Sequence, residues 1–440
     1  MSAMGQFAQG EAQQKGRTRM TASTNIIDPQ AKRRSRTLGV LLVLIGVAIY
    51  VFFVRSSDRG LTSTFGLNPG RETSALHVPD MVLPVLPSLY VMAIGSVAIG
   101  FYQLVRGWGR SESWMLGLVA LFMTLSFLTW AARGRSLNLI GILETTLQRA
   151  TPIVLAALSG VLCERSGIVN IAIEGMMLTA AATSAVVASV SHSLWVGLLA
   201  ALIMAGLLGL LLAVLSIRFK VNQVISGTAI NILATGATSY VSARYLQVYQ
   251  HLNSPGQFPN VPVPLLARLP VLGPIFFETN VLVYLMLVLL VSIHVMLYYT
   301  RWGLRTRAIG EHPHAAATVG VDVNRMRYIN VVLGGMVAGL GGAFLVLGSV
   351  PRFDELMTAG KGFIGLAALI FGKYNPFGAF GASLIFGFTD TLQAKLQILE
   401  VPIPSQFLRM LPYVITMVVL AGVVGRADAP AAEGQPYEKQ

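Results

Sequence analysis

Two acidic residues, Glu174 and Asp390, stand within long apolar stretches of this 440-residue chain. An ionisable side chain at the depth of a membrane is costly, so it indicates a functional site unless a structural partner accounts for it. The amides of Asn170 and Asn231 lie in similarly apolar surroundings. We therefore take these four residues as candidates for lining the path of a small polar solute.

Each candidate also has a structural interpretation, because buried polar groups are usually hydrogen-bonded to a neighbouring element. For Glu174 we favour this interpretation: a cap on a helix break near Gly175, held together with Arg165 or Asn170. Asp390 can instead approach the outer surface, since the end of its apolar run is not sharply marked. We expect these two acidic residues to be the only charged ones within membrane spans, with no basic residue among them.

The sequence carries no pattern for covalent or metal chemistry. It lacks an H-E-x-x-H motif, a G-x-S-x-G motif with partners and a G-x-x-x-x-G-K-[ST] phosphate loop. His312 and His314 are two residues apart, so they do not share a helix face as metal ligands. The single cysteine, Cys163, excludes an internal disulfide and any multi-cysteine metal site. We expect no cofactor, no metal and no catalytic centre.

Residues 301–327, between two apolar runs, have the character of a small docking helix. Pro313 suits the first turn of a helix, residues 315–319 are mostly small, and Gly320 can end the helix in a left-handed conformation. The product is an alanine-faced helix between basic residues at the membrane surface, which can dock into a groove on a cytoplasmic partner. A simple connector is the alternative that length and composition leave open.

The elements that position these residues are predicted by composition. Mean hydropathy is +0.66 and only 12% of residues are charged, about half the share in soluble domains. Continuous apolar runs near 20 residues, without alternation, predict membrane-spanning helices. Eleven clear runs cover residues 38–54, 81–105, 114–132, 146–163, 168–190, 194–217, 222–243, 280–299, 328–349, 377–394 and 408–425. A twelfth, 363–371, is a half-helix, a re-entrant segment or part of a longer span. The fold class is an all-α, polytopic membrane helix bundle with about 11–12 membrane segments.

The distribution of basic residues predicts the orientation of the bundle. If every run crosses and the N-terminus is cytoplasmic, 20 of the 32 Lys and Arg residues fall on the inner side, as the positive-inside rule requires. The net charge of +13 would also fit a nucleic-acid binder. We reject that class, because the basic residues lie between apolar runs rather than on one face.

Four blocks of sequence carry a family resemblance. They are TPIVLAALSG with ERSGIVNIAIEGMM (151–177), NQVISG with AIN (222–231), RTRAIGEHPHAAATVGV (305–321), and AGKGFI with FGKYNP (359–376). In this order they resemble permease subunits of ABC importers of the branched-chain amino acid, ribose and nucleoside class. The nucleoside and simple-sugar permeases are the most similar group. His312, His314 and Cys163 depart from the usual pattern, which leaves the contacts with a partner open.

The resemblance implies a transmembrane permease subunit in the cell membrane, with three protein partners. These are a separate cytoplasmic ATPase, a second permease subunit and an external solute-binding lipoprotein. It also implies that the 301–327 loop transmits ATP-driven motion from the ATPase. The residues assigned to this coupling are Arg305, Arg307, Gly310, Glu311, Pro313, Ala315, Ala316 and Gly320.

The resemblance covers about residues 140–425 and so predicts a division of the chain. We expect a cytoplasmic basic tail over 1–37, extra N-terminal membrane helices over 38–140, a permease core over 141–425 and a cytoplasmic tail over 426–440. The main rival is a secondary transporter driven by an ion gradient. That class favours charges in several spans and two detectable halves, and the sequence indicates neither.

Overall fold

The computed structural model describes residues 29–68, 78–398, 406–407, 410 and 428–438. These residues form two compact units. The first comprises residues up to 64 together with 82–137, and the second comprises 65–81 together with everything from 138 onward. The predicted apolar run 408–425 lies almost wholly outside the described residues.

In the part of the first unit that the structure describes, there are three helices: α1 (Pro29–Ala48), α2 (Val85–Val105) and α3 (Glu112–Ala131). The helix α1 continues through a π-helical turn at Ile49–Val54, and a 3-10 turn at Gly109–Ser111 precedes α3. Three short strands, β1 (Thr62–Gly66), β2 (Met81–Pro84) and β3 (Ser136–Asn138), pair in the order β2-β1-β3. The apolar run predicted over 81–105 therefore begins as a strand and becomes helical only at Val85.

The second unit contains ten helices whose bounds lie within the described residues. They are α4 (Leu139–Glu164), α5 (Ile173–Ser191), α6 (Leu194–Ala213), α7 (Gln223–Val241), α8 (Val281–Tyr299), α9 (Arg301–Glu311), α10 (Pro313–Thr318), α11 (Val323–Ala343), α12 (Lys361–Phe371) and α13 (Pro376–Ile398). π-helical turns extend α6, α7 and α11 at Val214–Arg218, Ser242–Leu246 and Phe344–Ser349, and a further π-helical turn lies at Gly273–Phe277. The loop between α7 and α8 holds 3-10 turns at Gln250–Asn253 and Leu266–Arg268 and the antiparallel strands β4 (Asn260–Pro262) and β5 (Glu278–Asn280).

The helix α4 is the centre of the second unit. It is buried without interruption from residue 150 to Glu164, and it packs against α11, α12 and α13. Its middle is rich in Ala, Ser and Gly, so neighbouring backbones can approach closely, as membrane helix pairs require. The helices α6 and α8 instead turn large aliphatic side chains outward, among them Leu199, Ile203, Val288 and Val291.

Nine helices of the described residues are long and apolar enough to cross a membrane, which confirms the polytopic all-α bundle. The doubtful run 363–371 becomes the 11-residue helix α12, about 16 Å long at 1.5 Å per residue and therefore too short to span alone. One expectation is wrong: Arg149 lies within α4 and Arg327 within α11, so basic residues do occur inside these helices. The position of the N-terminus and the predicted division of the chain remain predictions.

Candidate functional site

The loop predicted to dock on a partner folds as two short helices. Thr300 caps α9, since its hydroxyl accepts a hydrogen bond from the backbone N–H of Gly303 at 3.2 Å. Pro313 occupies the first turn of α10, and Gly320 follows with φ of +83°, as the sequence predicts. A left-handed residue at this point lets the chain reverse into α11, which Asp322 caps through the N–H of Arg325.

One face of this loop packs against the bundle. Ala316 is only 4% exposed and joins Ile309, Val323 and Met326 in a small apolar cluster. Gly310 is buried, and a Cβ there would collide with the backbone oxygen of Arg165. The guanidinium of Arg307, also predicted to couple, lies over the ring of Tyr298, 5.0 Å from its centroid. Gly310, Ala316 and Arg307 therefore hold the loop in place.

The opposite face is open. Arg305, Glu311 and Ala315 are exposed, and Val319 is 78% exposed. We call the exposed residues from 304 to 319 the free face: Leu304, Arg305, Glu311, His312, His314, Ala315, Thr318 and Val319. The predicted coupling residues thus divide between those that anchor the loop and those that a partner can reach.

Glu174, in the first turn of α5, forms a cap for a different helix. Its Oε1 accepts a hydrogen bond from the N–H of Gly360 at 2.8 Å, and its Oε2 accepts one from the N–H of Gly362 at 2.6 Å. A carboxylate at a helix N-terminus satisfies free N–H groups and interacts favourably with the helix dipole. The contact is structural, as we favoured, but the carboxylate caps the start of α12 rather than a helix break near Gly175, and its hydrogen bonds go to Gly360 and Gly362 rather than to Arg165 or Asn170.

The two candidate amides lie near the same point of the fold. Asn231 on α7 accepts a hydrogen bond from the N–H of Gly175 at 2.8 Å and donates one to the carbonyl of Ile171 at 2.9 Å. Asn170 is fully buried, with its Nδ2 3.4 Å from the sulfur of Cys163. Glu174, Asn231 and Asn170 therefore gather around the non-helical turn before α5, and Asn231 fixes the backbone of this turn.

Asp390 has a different environment. Its Oδ2 lies 2.8 Å from Nη1 of Arg149, in an ion pair that joins α13 to α4. The two side chains are 32% and 38% exposed, although both belong to long helices of the bundle. A charge pair within a membrane helix is avoided in hydrocarbon unless it faces a protein partner or a water-filled cavity.

A match to the family described as branched-chain amino acid transport system / permease component covers residues 142–421. The chain belongs to this permease family. It is therefore a multi-pass membrane subunit of a transporter and not a catalytic enzyme, and the family works with a separate ATPase and a binding protein. Membership also decides against the secondary transporter that the sequence left as a rival.

The relatives of the permease include three proteins named as transporter permeases. It is 41% identical over 307 residues to the guanosine ABC transporter permease NupQ of Bacillus subtilis. This alignment covers 68% of the present chain and 96% of the relative. It is 38% identical over 308 residues to the nucleoside permease NupC of Lactococcus lactis, with the same two coverages. It is 32% identical over 327 residues to a putative glucose permease of Haloferax volcanii, at 68% and 98% coverage. No solved structure matches it.

The permease has one site component that the sequence did not indicate. Residues 428–438, which we call the strap, lie against the end of the second unit that carries α9 and α10. The N–H of Ala432 donates to the carbonyl of Gly310 at 2.9 Å, and the N–H of Ala431 donates to Oε2 of Glu311 at 3.2 Å. The sequence predicts only a cytoplasmic tail over 426–440, because contacts between residues distant in the chain leave no local pattern in residue types.

Proposed function

We propose that this permease forms one half of the membrane pathway of an ABC importer for nucleosides or simple sugars. The single observation that carries the proposal is the two-sided loop: a buried face locks it to the bundle, and a free face is available to an ATPase. NupQ and NupC are named for guanosine and nucleosides, and the Haloferax relative for glucose. These names support a small polar solute with several hydroxyl groups.

Coupling follows from the division of the loop into two faces. A partner ATPase that binds Ala315 and Val319 moves α10. Because the buried Ala316 packs against the start of α11, that helix moves with it. The helix α11 packs against α4, α5 and α6, so a displacement at its end reaches the core of the bundle. Rigid elements packed in this way move as bodies about their interfaces. ATP hydrolysis outside the membrane can therefore change the shape of the pathway within it.

The solute pathway passes the ion pair of Arg149 and Asp390 in this proposal. Glu174 and Asn231 hydrogen-bond backbone groups, and Asn170 is fully buried beside Cys163. The pair of Arg149 and Asp390 instead remains partly exposed. A second permease subunit would cover this surface of α4 and α13, because lipid would not accept it. Hydroxyl groups of a nucleoside ribose or a hexose suit both members, since a carboxylate accepts and a guanidinium donates hydrogen bonds.

The remaining partners follow from the direction of transport. An external solute-binding lipoprotein would deliver the solute to the side opposite α10. This chain, a different second permease, an ATPase and the binding protein together make up the importer. Choice among solutes rests largely with the binding protein.

The test is uptake by the reconstituted complex. We expect radiolabelled guanosine, or glucose in a parallel assay, to accumulate only when the ATPase, ATP and the binding protein are all present. Ala315→Trp on the free face should release the ATPase and abolish uptake. Gln247→Trp, at an exposed position in the loop between α7 and α8, is the matched control and should retain the ATPase. Uptake by this chain without any ATPase would contradict the proposal.

A further inference from the structure

The strap makes contact with α9, with α10 and with the turn between α4 and α5. Beyond its bonds to Gly310 and Glu311, the N–H of Gly434 donates to the carbonyl of Gly167 at 3.1 Å. Gly167 lies in the turn between α4 and α5. The ring of Tyr437 lies 5.2 Å from that of His314 on α10. The strap therefore connects the docking loop to the turn that precedes Glu174.

A buried arginine ties the strap to α11. Arg327 is only 1% exposed, and among the described residues it is the largest fully buried side chain. Its Nε donates to the carbonyl of Ser166 at 3.1 Å and its Nη1 donates to the carbonyl of Gln435 at 3.2 Å. One guanidinium thus joins the start of α11, the turn after α4 and the strap. A buried arginine retained in this way has a well-defined geometry, because its fork of donors is planar and rigid.

Glu433 anchors the strap beside the end of α4 and the turn between α12 and α13. Its side chain lies beside that of Glu164, at the end of α4, and that of Tyr374, in the turn between α12 and α13. Arg165 closes the group, since its Nε donates to the carbonyl of Tyr374 at 2.9 Å. Burial is the main cause that raises the pKa of Glu433, and it also raises the pKa of Tyr374.

These contacts converge on the helix ends that a coupling motion must displace together. The loop of α9 and α10 is attached directly to α8 and α11 alone, by chain connection. The ends of α4, of α12 and of α13 have no covalent link to it nearby, and the strap supplies contacts to each. A contiguous set of hydrogen bonds between rigid elements is the physical requirement for transmitting a displacement.

We propose that the strap is a second transmission element of the importer, in which Glu433 is a positioning residue that links the docking loop to the ends of α4, α12 and α13. This inference rests on the proposed function, because it assumes that an ATPase moves the loop. The strap carries the motion to the turn between α12 and α13, in addition to the end of α4, which α11 also contacts. Without the strap, ATP is still hydrolysed but the pathway opens less often for each cycle.

The experiment compares uptake with ATP hydrolysis in the reconstituted full complex, with radiolabelled guanosine as the probe. Two variants release the strap: deletion of 428–440, and Glu433→Lys, which places a cation beside Arg165. We expect ATPase activity to stay within about twofold of the parent, while uptake falls by about fivefold or more, the lower end of typical coupling between sites. The ratio of guanosine molecules to ATP therefore falls.

Two conservative variants serve as controls. Glu433→Gln keeps the size and hydrogen-bonding capacity of the anchor and should restore the parental ratio. Glu438→Gln removes an exposed pair with Lys220 and should leave the ratio unchanged. An unchanged ratio after deletion of the strap would overturn the inference. So would failure of both strap variants to assemble with the ATPase, which would make the strap an assembly contact. A parent complex without ATP-dependent uptake would refute the proposed function instead.

Discussion

Oε2 of Glu174 accepts a 2.6 Å hydrogen bond from the backbone N–H of Gly362, which lies 188 residues later in the chain. The other oxygen of this carboxylate accepts a hydrogen bond from the N–H of Gly360. One side chain therefore fixes the start of the 11-residue helix α12. A Cβ at Gly362 would come within 2.7 Å of the backbone of Glu174, and only glycine allows this approach. An acidic residue that seemed suited to a solute pathway is therefore a structural cap.

Replacement of Glu174 should destabilise the bundle. Glu174→Ala leaves two N–H groups of α12 without their acceptor, and we expect a loss of about 1–3 kcal/mol in the free energy of unfolding. Glu174→Gln keeps one good acceptor and should lose less. Unfolding in detergent measures the difference, with Glu355→Ala at an exposed position as the control. A lower solute affinity at unchanged stability would assign Glu174 to the pathway.

Asn231 should be intolerant of an isosteric change. Asn231→Asp keeps the acceptor for Gly175 but removes the donor to Ile171, and it places a carboxylate beside that carbonyl. We expect it to lower the thermal midpoint of unfolding at least as much as Asn231→Ala, since a polar group left without its partner costs about 1–3 kcal/mol. Asn324→Asp, which is exposed, controls for the added charge. Equal stability of Asn231→Asp and the parent would contradict the assignment.

The sequence was sufficient to predict features that depend on local chemistry. Long apolar runs gave the helices, because a backbone in lipid must satisfy its own hydrogen bonds. Pro313 and Gly320 marked the two ends of α10, since each residue restricts or permits a particular backbone conformation. Helix boundaries were less well predicted. Residues 168–172 belong to the apolar run predicted over 168–190, yet they are not helical, and Asn231 donates a hydrogen bond to the carbonyl of Ile171 there.

The features that were missed depend on contacts distant in sequence. Glu174 contacts the backbone of glycines that have no side chain to reveal a pairing. The strap likewise binds through main-chain groups of Gly310 and Gly167, and residue types alone do not encode such partners. Arg149 was overlooked as a charge inside a helix, although its neighbour Asp390 was singled out. The pairing of the two became visible only when α4 and α13 were brought together.

The ion pair of Arg149 and Asp390 should behave as a coupled unit in transport. Asp390→Asn leaves the arginine unpaired, and Arg149→Gln leaves the carboxylate unpaired, so each should lower guanosine uptake by about tenfold. The double variant Arg149→Gln/Asp390→Asn removes both charges and should recover part of the loss. Initial rates of uptake over a range of guanosine concentrations separate effects on KM and on the maximal rate. Additive losses in the double variant would contradict coupling.

Gly310 of the docking loop should not tolerate a side chain. Gly310→Ala drives a methyl group into the backbone of Arg165, so we expect α9 to shift and both ATPase association and uptake to fall by about tenfold or more. Gly236→Ala is the matched control, because nothing lies within 4 Å of the added Cβ and alanine favours a helix by about 1 kcal/mol. Pull-down of the ATPase by the purified permease measures the effect. Normal association of Gly310→Ala would show that the loop tolerates displacement.

Attachment of the strap should weaken as pH rises. Burial raises the pKa of Glu433, so its protonated form is favoured in the attached state. A group of this kind contributes its full stabilisation below its ordinary pKa and loses it as pH rises through the raised value. The groups around it are Glu164, Arg165 and Tyr374, and the two carboxyls fit together best while they share a proton.

Hydrogen exchange of residues 428–438, followed from acidic to neutral pH in the assembled complex, tests this dependence. We expect protection of the strap amides to fall with rising pH in the parent, after correction for the intrinsic pH dependence of exchange. In Glu433→Gln the anchor cannot ionise, so the fall should be markedly smaller. Glu438→Gln should follow the parent, because Glu438 lies at the surface and does not belong to the buried group around Glu433. Its contact with Lys220 lowers its pKa. A parent and a Glu433→Gln variant with the same profile would mean that Glu433 does not control attachment of the strap.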